Sequence, residues 1–137
     1  MKCITLTVDG IVMYKGKIVL IKRKKEPFKG KLALPGGIVE YGEKVEDALV
    51  RELKEETGLI CIPDKIVGVY SDFNRDPRGH FVSICFTVKP VGGELKAGDD
   101  AEQVYLLSLE EVLKSELAFD HSKMIKEAIE NGILPKM

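Results

Sequence analysis

The order of apolar and polar residues predicts strands along much of the chain. Apolar, β-branched runs at 4–14 and 17–23 flank a Lys15-Gly16 turn, which favours a β-hairpin with a bulge or bend at Asp9-Gly10. A short apolar run at 32–34 stops at Pro35-Gly36-Gly37, where we expect a sharp turn. Further strands are predicted within 64–72, over 80–89 and over 104–107.

Helical spacing of apolar residues predicts three helices between these strands. The longest runs over 43–57, carries Val45, Leu49, Val50 and Leu53 on one arc, and ends at Gly58. Ser108 and Glu111 resemble a capping box at the start of a short helix, and Asp120 is the expected N-cap of a last helix. Strands interleaved with helices indicate one mixed α/β (α+β) domain over 1–137, with a sheet covered by helices.

Composition narrows the classes of function that fit. The 137 residues are 45% hydrophobic and 31% charged with a net charge of −1, so neither nucleic acid nor a membrane surface is an expected partner. No apolar run is long enough to cross a membrane, and the N-terminus lacks the apolar core of a secretory signal. Cys3, Cys61 and Cys85 are widely spaced, which favours buried free thiols in a reducing cytoplasm.

Carboxylates are concentrated between Gly37 and Leu59, where seven acidic residues occur. On a helical wheel, Ala48, Glu52, Glu55 and Glu56 form a stripe at the border of the apolar arc. Like charges in this position repel, and partial burial adds to the cost. Divalent cations offset such repulsion, and Mg²⁺ prefers oxygen ligands that it shares with substrate phosphates. A solvated acidic helix face is the alternative, which charge density alone does not exclude.

The spacing of this segment resembles the Nudix box. Gly37 is followed after five residues by Glu43, and after seven more by Arg51-Glu52-Leu53-x-Glu55-Glu56-x-Gly58-Leu59, which matches every specified position. The chain therefore resembles the Nudix hydrolases. The segments RDPRGH (75–80) and LAFDH (117–121) resemble those of the small microbial ADP-ribose pyrophosphatases in that family. The resemblance implies a Nudix-type α/β/α sandwich with a mixed β-sheet.

The same resemblance implies roles for the residues of the box. Glu52 and Glu56 would be the principal Mg²⁺ ligands, Glu55 a further ligand, and the Gly36 carbonyl would complete the shell. Two or three Mg²⁺ ions are expected, and Mn²⁺ is expected to substitute for them. Glu43 and Arg51 are expected to orient the loop and the helix through an ion pair.

The resemblance also implies a glutamate in the loop before the strand at 104–107, which supplies the general base or an extra metal contact in many relatives. The glutamate that many relatives carry there aligns with Gln103, which cannot act as a base. Glu102, Asp100 and Asp99 remain as candidates, and Glu102 is the one we favour. A solvated loop carboxylate is the alternative.

Substrate contacts are expected from basic and aromatic side chains outside the box. Arg75, Arg78 and His80 lie together in a polar loop, and an arginine fork suits phosphate. A solvated turn with a structural Asp76-Pro77 is the alternative. Arg23 is a further candidate for contact with the substrate. The candidates for stacking on an adenine are Phe28, Tyr70, Phe73 and Phe119.

The resemblance implies a Mg²⁺-dependent hydrolase of a pyrophosphate linkage in a nucleotide. The leading hypothesis is cleavage of ADP-ribose to AMP and ribose 5-phosphate. The alternatives are hydrolysis of nucleoside triphosphates, including oxidised ones, and a non-catalytic nucleotide sensor. A small-molecule nucleotide is the expected partner, and a homodimer is consistent with the family.

Overall fold

The structure is a computed structural model that describes residues 2–96 and 103–135. The strands are β1 (Thr5–Tyr14), β2 (Lys17–Lys22), β3 (Leu32–Ala33), β4 (Gly36–Ile38), β5 (Leu59–Tyr70), β6 (Phe81–Gly93) and β7 (Val104–Leu107). The helices are α1 (Val45–Thr57), α2 (Leu109–Leu113) and α3 (His121–Glu130), with a 3₁₀ turn at Phe73–Arg75. This mixed architecture confirms the predicted fold class.

The sheet is mixed because β1 and β6 run parallel while the other pairs are antiparallel. Its main order is β3-β2-β1-β6-β5, with β4 joined to β1 and β7 joined to β2. The predicted β1–β2 hairpin is confirmed. The predicted bulge at Asp9-Gly10 is wrong, since residues 5–12 pair without a break with residues 81–88.

Helices cover both faces of the sheet. Leu49 and Leu53 of α1 are fully buried against a cluster that contains Val8 and Val12 of β1. On the other face, α3 contributes Met124, Ile125 and Ala128 to a second buried cluster. Burial of apolar surface on both sides of β1 therefore fixes the position of this central strand.

Ala48 belongs to the first of these clusters and is fully buried. The sequence placed it in the stripe of carboxylates at the border of the apolar arc. Its small side chain instead lies in the core that α1 shares with the sheet.

Several elements differ in extent from the sequence prediction. Helix α1 begins at Val45 and not at Glu43, because the Glu43 carboxylate accepts a hydrogen bond from the Glu40 amide in the preceding turn. Gly58 ends α1 in the left-handed conformation, as predicted. Strand β5 is longer than expected and starts directly at Leu59. The chain bends at Pro35, within the segment where a sharp turn was expected, but Gly36 and Gly37 already belong to β4.

The ends of the last two helices gave one correct and one incorrect prediction. Ser108 and Glu111 form the predicted capping box at α2. Asp120 precedes α3 but makes no side-chain capping bond, since its carboxylate binds Arg75 instead. Cys61 and Cys85 are free and buried as expected, whereas Cys3 is exposed. Among the described residues, no helix is both long and apolar enough to cross a membrane.

The burial of Leu53 predicts the cost of removing it. Replacement of this fully buried side chain in Leu53→Ala leaves a cavity between α1 and the sheet, so we expect a loss of about 2–5 kcal/mol in the free energy of unfolding. Urea denaturation measures the change. The exposed neighbour in Lys54→Ala is the control and should shift stability by less than about 0.5 kcal/mol. Equal effects of the two substitutions would contradict this packing.

Candidate active site

Two glycines allow β4 to lie close to the carboxylates of α1. The Gly36 amide donates a 2.7 Å hydrogen bond to Glu56 Oε1. A Cβ atom at Gly36 would lie 2.0 Å from the Val8 carbonyl oxygen, and one at Gly37 would lie 2.3 Å from the Glu52 carboxyl carbon. Any larger residue would therefore displace the neighbouring backbone or carboxylate.

One guanidinium joins the loop before α1 to the helix itself. Arg51 donates to both carboxylate oxygens of Glu43, at 2.8 and 2.9 Å, and to Glu52 Oε1 at 2.7 Å. It also donates to the Ile38 carbonyl oxygen at 3.2 Å, and lies 3.6 Å from the Glu55 carboxylate. This bidentate geometry holds the loop and the helix in one orientation.

The surroundings of these carboxyl groups shift their pKa values in opposite directions. Hydrogen bonds from Arg51 lower the pKa of Glu43 to about 2. Burial raises the pKa of Glu52, although its bond to Arg51 opposes this change. Burial also raises the pKa of Glu56 to about 8, against the effect of the Gly36 amide. Glu56 is therefore a carboxyl group whose charged form a bound cation would stabilise strongly.

The donor set at this site fits a divalent cation that prefers oxygen. Glu52 and Glu56 are one helical turn apart on α1 and supply carboxylate oxygens, the ligand type that Mg²⁺ and Mn²⁺ take. In the described part of the chain, no three acidic, histidine or cysteine side chains converge on one point. Glu52 and the largely exposed Glu55 turn towards Arg51, while Glu56 turns towards Gly36.

A basic wall faces the buried carboxylate. The guanidinium carbon of Arg23 lies 4.8 Å from the centre of the Phe119 ring, and that of Arg78 lies 5.6 Å from it. Burial lowers the pKa of Arg23, and the neighbouring charge of Arg78 lowers it further. Two cations that share one aromatic ring repel each other, so an anion between them is favoured.

The loop that follows β5 is held by two arginine–aspartate pairs. Arg75 donates to both carboxylate oxygens of Asp120, at 2.9 and 2.6 Å, and its side chain is only 5% exposed. Arg78 binds both oxygens of Asp76 but remains 42% exposed. The geometry favours a structural role for Arg75, and it leaves Arg78 as the arginine of this loop that a ligand can reach.

The other predicted substrate contacts are dispersed. His80 lies with its Nε2 atom 3.0 Å from the Ser71 carbonyl oxygen, in contact with the 63%-exposed ring of Phe73. Phe28 is partly exposed and packs edge-on against Phe119. Tyr70 is buried and donates to Glu127, so the prediction that it could stack on a base is wrong.

Two cavities meet at the buried carboxylate. The larger has a volume of about 370 Å³, and the smaller, of about 130 Å³, lies between β1, β4 and the N-terminus of α3. Glu56 and Arg23 line both of them. Arg78 and Phe119 line the smaller cavity, and several lysines line the larger one. A ligand that spans both cavities would therefore lie beside both the Glu56 carboxylate and the Arg23 guanidinium.

Sequence reasoning missed a group of polar residues in the smaller cavity. Asp9 and His121 line it, and Ser83 donates a hydrogen bond to Asp9. Two signals were available, namely the charged residue Asp9 within a largely apolar strand and the segment LAFDH (117–121), which ends at His121. The predicted base Glu102, and with it Asp99 and Asp100, lies outside the described residues.

The contact between Gly37 and Glu52 predicts the effect of one methyl group. In Gly37→Ala the new Cβ forces the Glu52 carboxylate away, so we expect affinity for Mn²⁺ to fall about tenfold or more. Isothermal titration calorimetry measures this affinity. The control is Gly92→Ala, where the nearest atom lies 3.7 Å from the new Cβ. Unchanged Mn²⁺ affinity in Gly37→Ala would contradict the assignment of Glu52 as a metal ligand.

Comparison with known proteins places the chain in a family. The NUDIX domain profile matches residues 5–128. The chain is 57% identical over 122 residues to the ADP-ribose pyrophosphatase of Methanocaldococcus jannaschii, covering 89% of this chain and 71% of that protein. It is 29% identical to the NUDIX domain of Shewanella oneidensis NrtR, solved with ADP ribose, with a TM-score of 0.80 over 96% of this chain and 90% of that one.

A mutT/nudix family protein from Listeria innocua is also similar. It is 35% identical to this chain, with a TM-score of 0.76 over 94% of each chain. The family profile, these similarities and the box on α1 agree with one another. The chain belongs to the NUDIX domain family and is a Nudix hydrolase.

Proposed function

We propose that this protein hydrolyses ADP-ribose to AMP and ribose 5-phosphate in a reaction that depends on Mg²⁺. The observation that carries the proposal is the junction of the two cavities, which share Glu56 and Arg23. A substrate with two halves joined by a pyrophosphate fits this junction, with one half in each cavity. The likeness to the Methanocaldococcus enzyme supports the choice of ADP-ribose.

Nudix hydrolases use divalent metal ions, and this chain offers carboxylates to hold them. Glu52 and Glu56 would hold the ion, with Glu55 and the Gly36 carbonyl as further ligands. When bound, the ion supplies charge neutralisation for the pyrophosphate and a water of lowered pKa. We propose two or three Mg²⁺ ions, with Mn²⁺ as a substitute.

The protein side chains supply orientation and proton transfer. Arg51 fixes the direction of the Glu52 carboxylate, and the Gly36 amide fixes that of Glu56. Arg23 and Arg78 bind phosphate oxygens on the opposite wall, where charge-assisted hydrogen bonds are strongest. A carboxylate accepts the proton of the attacking water. Glu102 is the residue to which we assign this step.

The partner of the enzyme is a small nucleotide. Phe28 is partly exposed next to Phe119 and offers a ring face for the base of the nucleotide. His80, at the edge of its loop, remains a proposed contact with the substrate. The homodimer and the cytoplasmic location stay predictions from the sequence.

The position of Glu56 predicts a large effect of a small substitution. Glu56→Gln keeps an oxygen for the Gly36 amide but removes the charge that holds the metal ion, so we expect turnover to fall by at least about a hundredfold. The folded state should persist, as judged by circular dichroism. The control Glu46→Gln changes an exposed carboxylate on the same helix and should keep full turnover. Retained turnover in Glu56→Gln would contradict the metal-ligand assignment.

A substrate panel tests the proposed reaction itself. We expect ADP-ribose to give AMP and ribose 5-phosphate in the presence of Mg²⁺, and to be preferred to nucleoside triphosphates. Chromatography of the products with phosphate analysis separates the two reactions, because a triphosphate would release pyrophosphate. Preferred cleavage of triphosphates would replace this proposal with the second hypothesis, and tight binding without turnover would replace it with a sensor.

A further inference from the structure

The smaller cavity has a polar wall that the proposed reaction does not use. Asp9 on β1 and His121 at the start of α3 are both more than nine-tenths buried and both line the cavity. Ser83 on β6 donates a hydrogen bond to Asp9 Oδ2, which fixes the carboxylate. Buried polar groups are costly unless they are satisfied, so this arrangement needs a reason.

The hydrogen bonds of His121 define which of its nitrogens faces the cavity. Its Nδ1 atom accepts a 2.9 Å hydrogen bond from the Leu34 amide, so the neutral ring carries its hydrogen on Nε2. Burial lowers the pKa of His121, which favours this neutral form. The Nε2 atom is therefore a donor.

Two atoms of this wall keep free hydrogen-bonding capacity. His121 Nε2 lies 3.6 Å from Asp9 Oδ1, too far for a hydrogen bond, and neither atom has another partner among the described residues. No fully buried side-chain nitrogen or oxygen in those residues lacks a partner, so both atoms reach the cavity surface. The wall thus presents one donor and one acceptor side by side.

This pair lies next to the reaction centre. A Cβ atom at Gly36 would lie 2.6 Å from Asp9 Oδ1, while the Gly36 amide binds Glu56. Arg23 and Arg78 line the same cavity and supply positive charge. The cavity therefore combines a site for phosphate with a neighbouring donor and acceptor for hydroxyl groups.

We propose that Asp9 and His121 bind neighbouring hydroxyl groups of the ribose in the ribose 5-phosphate half of the substrate. The Asp9 carboxylate accepts a hydrogen bond from one hydroxyl, and His121 Nε2 donates one to the other. This specificity-determining role rests on the proposed function. At about 130 Å³ the cavity is well below the roughly 300 Å³ of ordinary ligand pockets, so it suits one sugar ring without a purine.

Phosphorylated ribose also occurs in the AMP half, so the test must separate the two sources. Binding of ribose 5-phosphate, AMP and n-propyl phosphate is measured by calorimetry, since propyl phosphate keeps the phosphate and lacks the hydroxyls. We expect the wild-type protein to bind ribose 5-phosphate about tenfold more tightly than propyl phosphate. No such preference would overturn the proposal.

The key variant is His121→Asn, which can keep an acceptor for the Leu34 amide and removes Nε2. We expect it to lose the preference for ribose 5-phosphate over propyl phosphate, with AMP binding unaffected. Asp9→Asn, which keeps a partner for Ser83, should do the same. Lys123→Asn, an exposed change on α3, is the control and should retain the preference. Thermal unfolding verifies that each variant is folded.

Three results would overturn the sugar assignment. They are an unchanged preference in folded His121→Asn and Asp9→Asn, an equal loss of affinity for both phosphates, and a loss confined to AMP. If one variant fails to fold, the other decides the outcome. If neither folds, NMR of the wild-type protein decides it. Ribose 5-phosphate should then shift the His121 ring resonances more than propyl phosphate does, and equal shifts would overturn the assignment.

Kinetics distinguish this failure from failure of the proposed function. We compare kcat/KM for ADP-ribose with that for the methyl ester of ADP, which has no second sugar, and expect His121→Asn to lower the ratio about tenfold. Absence of ADP-ribose hydrolysis by the wild-type protein would overturn the proposed function. Hydrolysis with an unchanged ratio in the variant would overturn only the role of Asp9 and His121.

Discussion

The site depends on one guanidinium placed among carboxylates. Arg51 binds Glu43 through two oxygens and Glu52 through one, and these contacts join the loop before α1 to the helix. Without that positive charge, the acidic residues at three- and four-residue spacing on α1 would repel each other across a partly buried surface. Arg51 offsets this repulsion at Glu43, Glu52 and Glu55. Glu56 lies beyond its hydrogen bonds and accepts one from the Gly36 amide instead, so this carboxyl group lines both cavities without an ion pair to Arg51.

The sheet supplies a second constraint on the site, because β4 lies so close to its neighbours that only glycine, which has no side chain, fits at positions 36 and 37. Gly36 and Gly37 leave room for the Val8 backbone and the Glu52 carboxylate, and the Gly36 amide then reaches Glu56. A strand, a helix and a parallel β1–β6 pair thus converge on one small volume. The reaction centre and the polar wall formed by Asp9 are parts of the same packing arrangement. The proposed metal site and the proposed sugar site therefore both depend on the position of β1.

Local patterns in the sequence predicted the box, but they did not predict the side-chain contacts between residues that are far apart along the chain. The helix that carries Glu52, Glu55 and Glu56 was predicted because helical spacing is a property of neighbouring residues. Asp120 was predicted to cap α3, yet its partner is Arg75, which lies 45 residues earlier. The partners of Asp9 and His121 are 74 and 87 residues distant along the chain. Such contacts depend on the order of strands in the sheet, which periodicity alone does not specify.

Anomalous diffraction from crystals grown with Mn²⁺ and a non-hydrolysable ADP-ribose analogue tests the central claim most directly. That claim is that Glu52 and Glu56, oriented by Arg51 and Gly36, hold the metal against the pyrophosphate. The account predicts a Mn²⁺ peak within roughly 2.0–2.3 Å of carboxylate oxygens of both residues and of a phosphate oxygen. A peak bound to neither glutamate, with the analogue held elsewhere on the protein, would contradict it.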